Sequence, residues 1–303
     1  MSETFHPIAA PDAEIMTQMR AMTAAGKGHI EREAFDQVLE QTTDAAGIAY
    51  ATGDVAGVSG VWCRPAQPRA DAAILYVHGG AYIAGSAHAF RHQAGQLAAR
   101  TSVPVFVPEY RLAPEHAFPA AVDDVKAVYR ALSRHYPSMA LAGDSAGGGL
   151  ALVVFAFARA RAASGVGVAP KACSVMSPWT DLDLQGASMK TRADADLFLT
   201  EAALRAAAAQ YLNGADPRDA LASPVYGEVA GLPPIQINVG DAEVLLDDAR
   251  RYAQRAERAG VDATLHVWEG MPHVFESNVG KLAASGEALD LIGAFLTEHL
   301  AAA

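Results

Sequence analysis

The sequence predicts an α/β architecture: a mostly parallel central sheet of about eight strands, with helices on both faces and a helical cap. Three observations predict it. From residue 46 onward, apolar runs of strand length alternate with helix-length stretches, the pattern of a doubly wound sheet. Some of those runs, such as Ala72–Val77, are apolar without interruption, as expected of strands buried on both faces. Two stretches, 1–45 and 180–220, break the alternation and read as two halves of one cap over the carboxyl ends of the strands, where open α/β sheets bind ligands. The chain thus divides into 1–45 (cap), 46–179 (core), 180–220 (cap insertion) and 221–303 (core).

Taken in order, residues 12–45 carry apolar side chains at helical spacing (Ile15, Met19, Met22, then Phe35, Val38, Leu39) and predict two helices with a break near Gly26–Gly28. Ile48–Tyr50, Val58–Cys63 and Ala72–Val77 read as strands, and His88–Arg100 as a helix. Val103–Val107 is a strand, Pro119–Ser133 a helix, and Met139–Ala142 a short strand leading directly into an apolar helix that runs to about Ala163. Ala172–Met176 is the next strand. After the polar, mostly helical 180–220 stretch, alternation resumes. Strand Ile235–Val239, helix Leu245–Ala259, strand Ala263–Trp268 and a last helix at about Gly286–Ala301 complete it.

Bulk properties narrow the function. Among 303 residues, 51% are hydrophobic and 19% charged, enough to build a core and too apolar for disorder. The net charge of −11, with no basic block, repels phosphate backbones and argues against nucleic acid as a partner. Cys63 and Cys173 lie in strand-like apolar runs and read as two buried free thiols, which suits a reducing, cytoplasmic setting. The ten histidines show no zinc spacing, so neither metal nor cofactor is expected. Residues 1–11 lack the basic start and apolar middle of a signal peptide. Leu150–Ala158 is interrupted by Arg159 and Arg161, and reads as a buried helix, not a membrane span.

Gly143-Asp144-Ser145-Ala146-Gly147 fits G-x-S-x-G between a short strand and an apolar helix, the setting of a nucleophile elbow. Glycines on either side leave room where a Cβ would collide. The turn lifts the Ser145 hydroxyl to the positive end of the following helix. A P-loop is excluded because no lysine follows at the required spacing. Upstream, His78-Gly79-Gly80-Ala81 also follows a strand. The backbone N–H groups of Gly79 and Gly80, with that of Ala146, are the candidate oxyanion donors; His78 reads as a residue that fixes the loop. Asp144 and Tyr82 are candidates for the substrate pocket, with packing under the cap as the competing role of Tyr82.

Such a serine needs a base, and the base an orienting carboxylate, in the chain order Ser, acid, His. His273 follows the last strand in a loop; His266, inside that strand, reads as a half-buried structural residue. For the acid, the turn after Val239 offers Asp241 and Glu243, while Asp247 and Asp248 flank a helix start. The residues themselves leave Asp241 and Glu243 open.

Together these blocks, with Glu109-Tyr110-Arg111-Leu112-Ala113-Pro114-Glu115, Phe118-Pro119-Ala120 and Ser177-Pro178-Trp179-Thr180-Asp181, resemble the hormone-sensitive-lipase-like family of α/β hydrolases (bacterial esterase family IV) from about Tyr76 to His273. That family commonly has Asp-Pro-Leu-x-Asp at the acid. Glu243-Val244-Leu245-Leu246-Asp247 aligns with it, so the resemblance implies Glu243 as the acid, with Asp241 second, and places glutamate where the family commonly has aspartate. It implies the α/β-hydrolase fold, the two-part cap, and a serine carboxylesterase acting on small-molecule esters with short- to medium-chain acyl groups. It also implies that Tyr110 and Arg111 anchor loops under the site, and often a homodimer through the edge of the last strand. Amides, thioesters and lactones share the tetrahedral intermediate and form the alternative substrates. A non-catalytic binding protein on this scaffold would lack the histidine, which is present here as His273.

Overall fold

In the computed structural model, residues 2–23, 27, 28 and 31–301 are described; Gly26, part of the expected helix break, lies outside them. Among the described residues the order is β1 (Ser2–His6), α1 (Ala10–Thr23), α2 (Arg32–Leu39), β2 (Ile48–Val55), β3 (Val58–Pro65), β4 (Ala72–Val77), α3 (Arg91–Thr101), β5 (Val105–Pro108), α4 (Ala120–His135), β6 (Ser138–Asp144), α5 (Ser145–Ala163), β7 (Ala172–Met176), α6 (Ser188–Thr191), α7 (Glu201–Leu212), β8 (Ile235–Gly240), α8 (Leu246–Arg258), β9 (Ala263–Trp268) and α9 (Ala283–Ala301).

The strands form one nine-stranded sheet in the order β1-β9-β8-β7-β6-β4-β5-β3-β2. Only β2 with β3 and β3 with β5 pair antiparallel. The chain runs from β4 outward to β5, then crosses back over β4 to β6. The strand order therefore reverses beside β4, and the crevice at the carboxyl ends of β4 and β6 is the place where such sheets bind ligands.

The period-2 geometry of β4 explains both cores. Ala73, Leu75 and Val77 face one layer, which α4, α5 and α8 fill; Ala72, Ile74 and Tyr76 face the other, filled by α3 and α9. Helix α4 buries Ala121, Val122, Val125, Val128, Tyr129 and Leu132, a stripe at three- and four-residue spacing. Each Val or Leu so buried contributes about 1.5–3 kcal/mol. Helix α5 is long and apolar enough to cross a bilayer, but its first three turns lie buried in the core. Both cysteines are buried free thiols.

The sheet has one strand more than expected. Ser2–His6, within the 1–45 stretch assigned to the cap, pairs parallel with β9, with Thr4 opposite His266 and His6 opposite Trp268. The His6 ring stacks on Trp268 at 3.9 Å and bonds His266 at 2.9 Å. The edge of β9, expected to face a second copy, is therefore covered within the chain, and the sheet edge on that side belongs to β1. Strand β2 is longer than expected because its alternating half-exposed pattern includes Thr52, Gly53 and Asp54, which mask an edge strand in the sequence.

Candidate active site

The elbow is built by crowding. Ser145 opens α5 with φ of 52°, a left-handed conformation that L-residues adopt only under constraint. A Cβ at Gly143 would sit 2.6 Å from the Val77 carbonyl oxygen, and one at Gly147 would collide with the carbonyls of Val77 and His78. Only glycine lets β6 and α5 wedge against the end of β4.

Three chain segments converge there. His273 Nε2 lies 2.9 Å from Ser145 Oγ. Its Nδ1 lies 2.6 Å from Glu243 Oε2, so the carboxylate accepts a hydrogen bond from Nδ1–H and leaves Nε2 free to accept from the serine. Glu243 is fully buried, and its other oxygen accepts from Ser177 Oγ at 2.7 Å and the Gly240 N–H at 2.9 Å. Asp241, the competing acid, does not reach the imidazole; its Oδ1 accepts the Gly270 N–H at 2.7 Å and braces the turn after β9. Asp247 and Asp248, in the first turn of α8, accept backbone N–H groups of Ser188, Thr180 and Asp181.

Asp144 and Gly79 have different roles from those expected, and Tyr82 takes the packing role that competed with a place in the pocket. Asp144 does not line a pocket. It is buried beneath the loop, and its Oδ1 accepts from Tyr76 Oη at 2.7 Å and from the Gly79 N–H at 3.1 Å. The Gly79 N–H is thereby committed, which removes it from the free oxyanion donors. The Gly80 N–H meets no acceptor among the described residues, and Ala146 lies in the first turn of α5, where backbone N–H groups have no intrahelical partner. Tyr82 is 1% exposed and stacks on Tyr211 of α7 at 3.9 Å, so it packs under the insertion. His78 is sandwiched by Tyr110 and Phe90, with its Nδ1 2.8 Å from the Gly79 oxygen. Tyr110 Oη donates to the His78 carbonyl, and Arg111 pairs with Asp124. Burial pushes the His78 imidazole down to about 4, so it stays neutral as a loop prop.

A family model described as α/β-hydrolase fold matches residues 74–277. The chain belongs to the α/β-hydrolase fold family. It is 38% identical to an acetyl-hydrolase of Streptomyces hygroscopicus over 95% of this chain and 97% of that one, and 34% identical to an esterase of Acinetobacter venetianus over 80% of each. Among solved structures, an esterase from the bacterial hormone-sensitive lipase family superposes with a TM-score of 0.88 at 36% identity, covering 96% of this chain and 99% of that one. The esterase EstE5, soaked with p-nitrophenyl butyrate, gives 0.88 at 35%, covering 97% and 100%. Within the family, the chain is one of the hormone-sensitive-lipase-like esterases.

The electrostatics of this hydrolase centre on His273. Burial alone would lower its pKa, but the Glu243 carboxylate, with Asp196 and Asp144 behind it, raises it above 6.5. Ser177, the first residue of the Ser177-Pro178-Trp179-Thr180-Asp181 block after β7, joins acid to base: its Oγ donates to Glu243 and accepts the Val274 N–H at 3.0 Å. Glu276, three residues past His273, is completely buried with neither carboxyl oxygen bonded among the described residues. Desolvation, with Glu243 and Asp144 nearby, pushes it from 4.5 to about 8. A carboxyl that holds its proton more tightly in the folded state stabilises that state at acid pH, and this contribution is lost as pH rises from 4.5 through about 8. Glu276→Gln, permanently neutral, is expected to flatten this decline and to raise Tm at pH 8 by roughly 5 °C. Thermal melts of both proteins from pH 5 to 8.5 check it; parallel curves contradict it.

Proposed function

We propose that this esterase hydrolyses carboxylic esters of short- to medium-chain acids through an acyl-enzyme on Ser145, using His273 as base and Glu243 as its orienting acid. The observation that carries this reading is the continuous line Ser145 Oγ, His273 Nε2, His273 Nδ1, Glu243 Oε2, with contacts of 2.9 and 2.6 Å. Ser145 attacks the acyl carbon as His273 takes its proton. The carbonyl oxygen becomes an oxyanion held by the Gly80 and Ala146 N–H groups, each such donor worth about 3–4 kcal/mol of barrier. The imidazolium, stabilised by Glu243, returns its proton to the departing alcohol. A water molecule, deprotonated by His273, then attacks the acyl carbon and releases the acid and Ser145. Relatives named acetyl-hydrolase and ethyl acetate hydrolase, the latter 32% identical and from Pseudomonas putida, support small acyl groups.

The cap belongs to this proposal. The 180–200 stretch is tied to the N-terminal segment by Arg20 Nη1 on the Ala195 carbonyl and the Gly28 N–H on the Phe198 carbonyl, each at 2.8 Å. Arg32 ties α2 to Glu115 and the Ala113 carbonyl.

A panel of p-nitrophenyl esters from C2 to C12 tests the reading. Turnover is expected to be fastest at C2–C4. Because the base must be neutral and its pKa is raised, kcat/KM is expected to fall on the acid side with a midpoint above pH 6.5. Failure to hydrolyse any of these esters would contradict the proposal.

A further inference from the structure

Asp196, on the 180–220 insertion, is 2% exposed and 48 residues from the acid loop, yet its carboxylate belongs to that loop's structure. One oxygen accepts the Phe198 and Leu199 N–H groups at 2.9 and 2.8 Å, closing a tight turn; the other accepts the Val244 N–H at 2.8 Å. Val244 directly follows Glu243, so the bond fixes the peptide that carries the acid. The same turn is held from both sides. Arg20 and Gly28 bond the carbonyls of Ala195 and Phe198, and Leu197 packs in one apolar cluster with Met271 and Phe275, which flank His273.

We propose that Asp196 is a positioning residue: a second carboxylate that ties the insertion to the Glu243 loop, so that the triad is in register only when the insertion is docked. This rests on the triad reading above. Two consequences separate it from a residue that only holds the fold. The first is geometric: loss of the Val244 bond lets the Glu243 peptide turn and lengthens the bond to His273. The second is electrostatic. The carboxylates that raise the imidazole are Glu243 after β8, Asp196 from the insertion and Asp144 at the end of β6; Glu276, beside Glu243 and Asp144, keeps its proton up to about pH 8 and adds no charge on the acid limb. Each negative charge favours the imidazolium, so removing Asp196's charge moves the acid limb of activity to lower pH.

The test is Asp196→Asn, assayed on p-nitrophenyl acetate from pH 5 to 9 with active sites counted by an organophosphate. The amide oxygen preserves the turn, but its NH2 group faces the Val244 N–H as donor against donor. The expected result is a kcat roughly tenfold lower, KM nearly unchanged, and an acid limb displaced downward by roughly half a pH unit. A limb in the parent's position overturns the proposal, whatever happens to kcat. Asp196→Glu keeps the charge and misplaces it; the parent's limb with a reduced kcat is expected, and an unchanged kcat overturns the proposal even if Asp196→Asn does not fold. A parent protein without esterase activity, or an active Ser145→Ala, would instead remove the triad reading on which the inference stands.

Discussion

Ser145→Ala is expected to lower kcat on short p-nitrophenyl esters by about 10⁴–10⁶-fold and to leave the fold intact. Among the described residues, the serine hydroxyl makes one side-chain hydrogen bond, with His273 Nε2. Alanine keeps the elbow, because the strained φ of 52° is enforced by the crowding around Gly143 and Gly147, not by the hydroxyl. The Gly80 and Ala146 N–H groups proposed to hold the oxyanion are unchanged in the variant, so any residual rate is expected to measure their contribution without covalent catalysis. Melting temperatures of parent and variant should agree within a few degrees. A variant that retains a tenth of the parent rate would show that the nucleophile is elsewhere.

The second large effect is expected at the acid. Glu243→Gln should lower kcat by about 10³–10⁴-fold, whereas Asp241→Asn should stay within about fivefold of the parent. Glu243 is buried, and as a carboxylate it accepts from three donors: His273, Ser177 and Gly240. A glutamine must turn an NH2 group toward one of them. If that group faces His273 it forces the proton onto Nε2, the wrong tautomer for taking the serine proton. If it faces Ser177 and Gly240, donors oppose one another, and the imidazolium still loses its counter-charge. Asp241, bonded to the Gly270 N–H, shapes the turn and has no path to the ring. Kinetics of the two single variants on p-nitrophenyl acetate decide the assignment. Equal losses, or a larger loss at Asp241, would reverse it.

The sequence made the parts with a local signature legible. A glycine-flanked serine between strand and helix, an apolar run ending in His-Gly-Gly, and a histidine in the loop after a final strand each announce themselves within a few residues. The central strands were legible for the same reason, since burial on both faces leaves an unbroken apolar run such as Ala72–Val77. What stayed hidden depends on partners far along the chain. The Asp144 carboxylate, a neighbour of the serine, is turned downward to Tyr76 and the Gly79 N–H, and nothing local specifies that direction. Ser177 and Asp196 act through bonds spanning 66 and 48 residues. Ser2–His6 is a strand only because β9 offers an open edge, and its short polar sequence carries no apolar run to reveal it. Glu243 is the intermediate case. The residues left it level with Asp241, the family resemblance favoured it, and the structure places it alone of the two against His273.

In the proposed mechanism Ser145 carries the acyl group. The most direct measurement is the intact mass of the protein, quenched in acid within the first turnovers of p-nitrophenyl acetate, followed by peptide mapping. One acetyl group per chain is expected, on the peptide containing Ser145, and none in Ser145→Ala. Rapid turnover by the parent without any acetylated protein, or an acetyl group mapped to another residue, would contradict it.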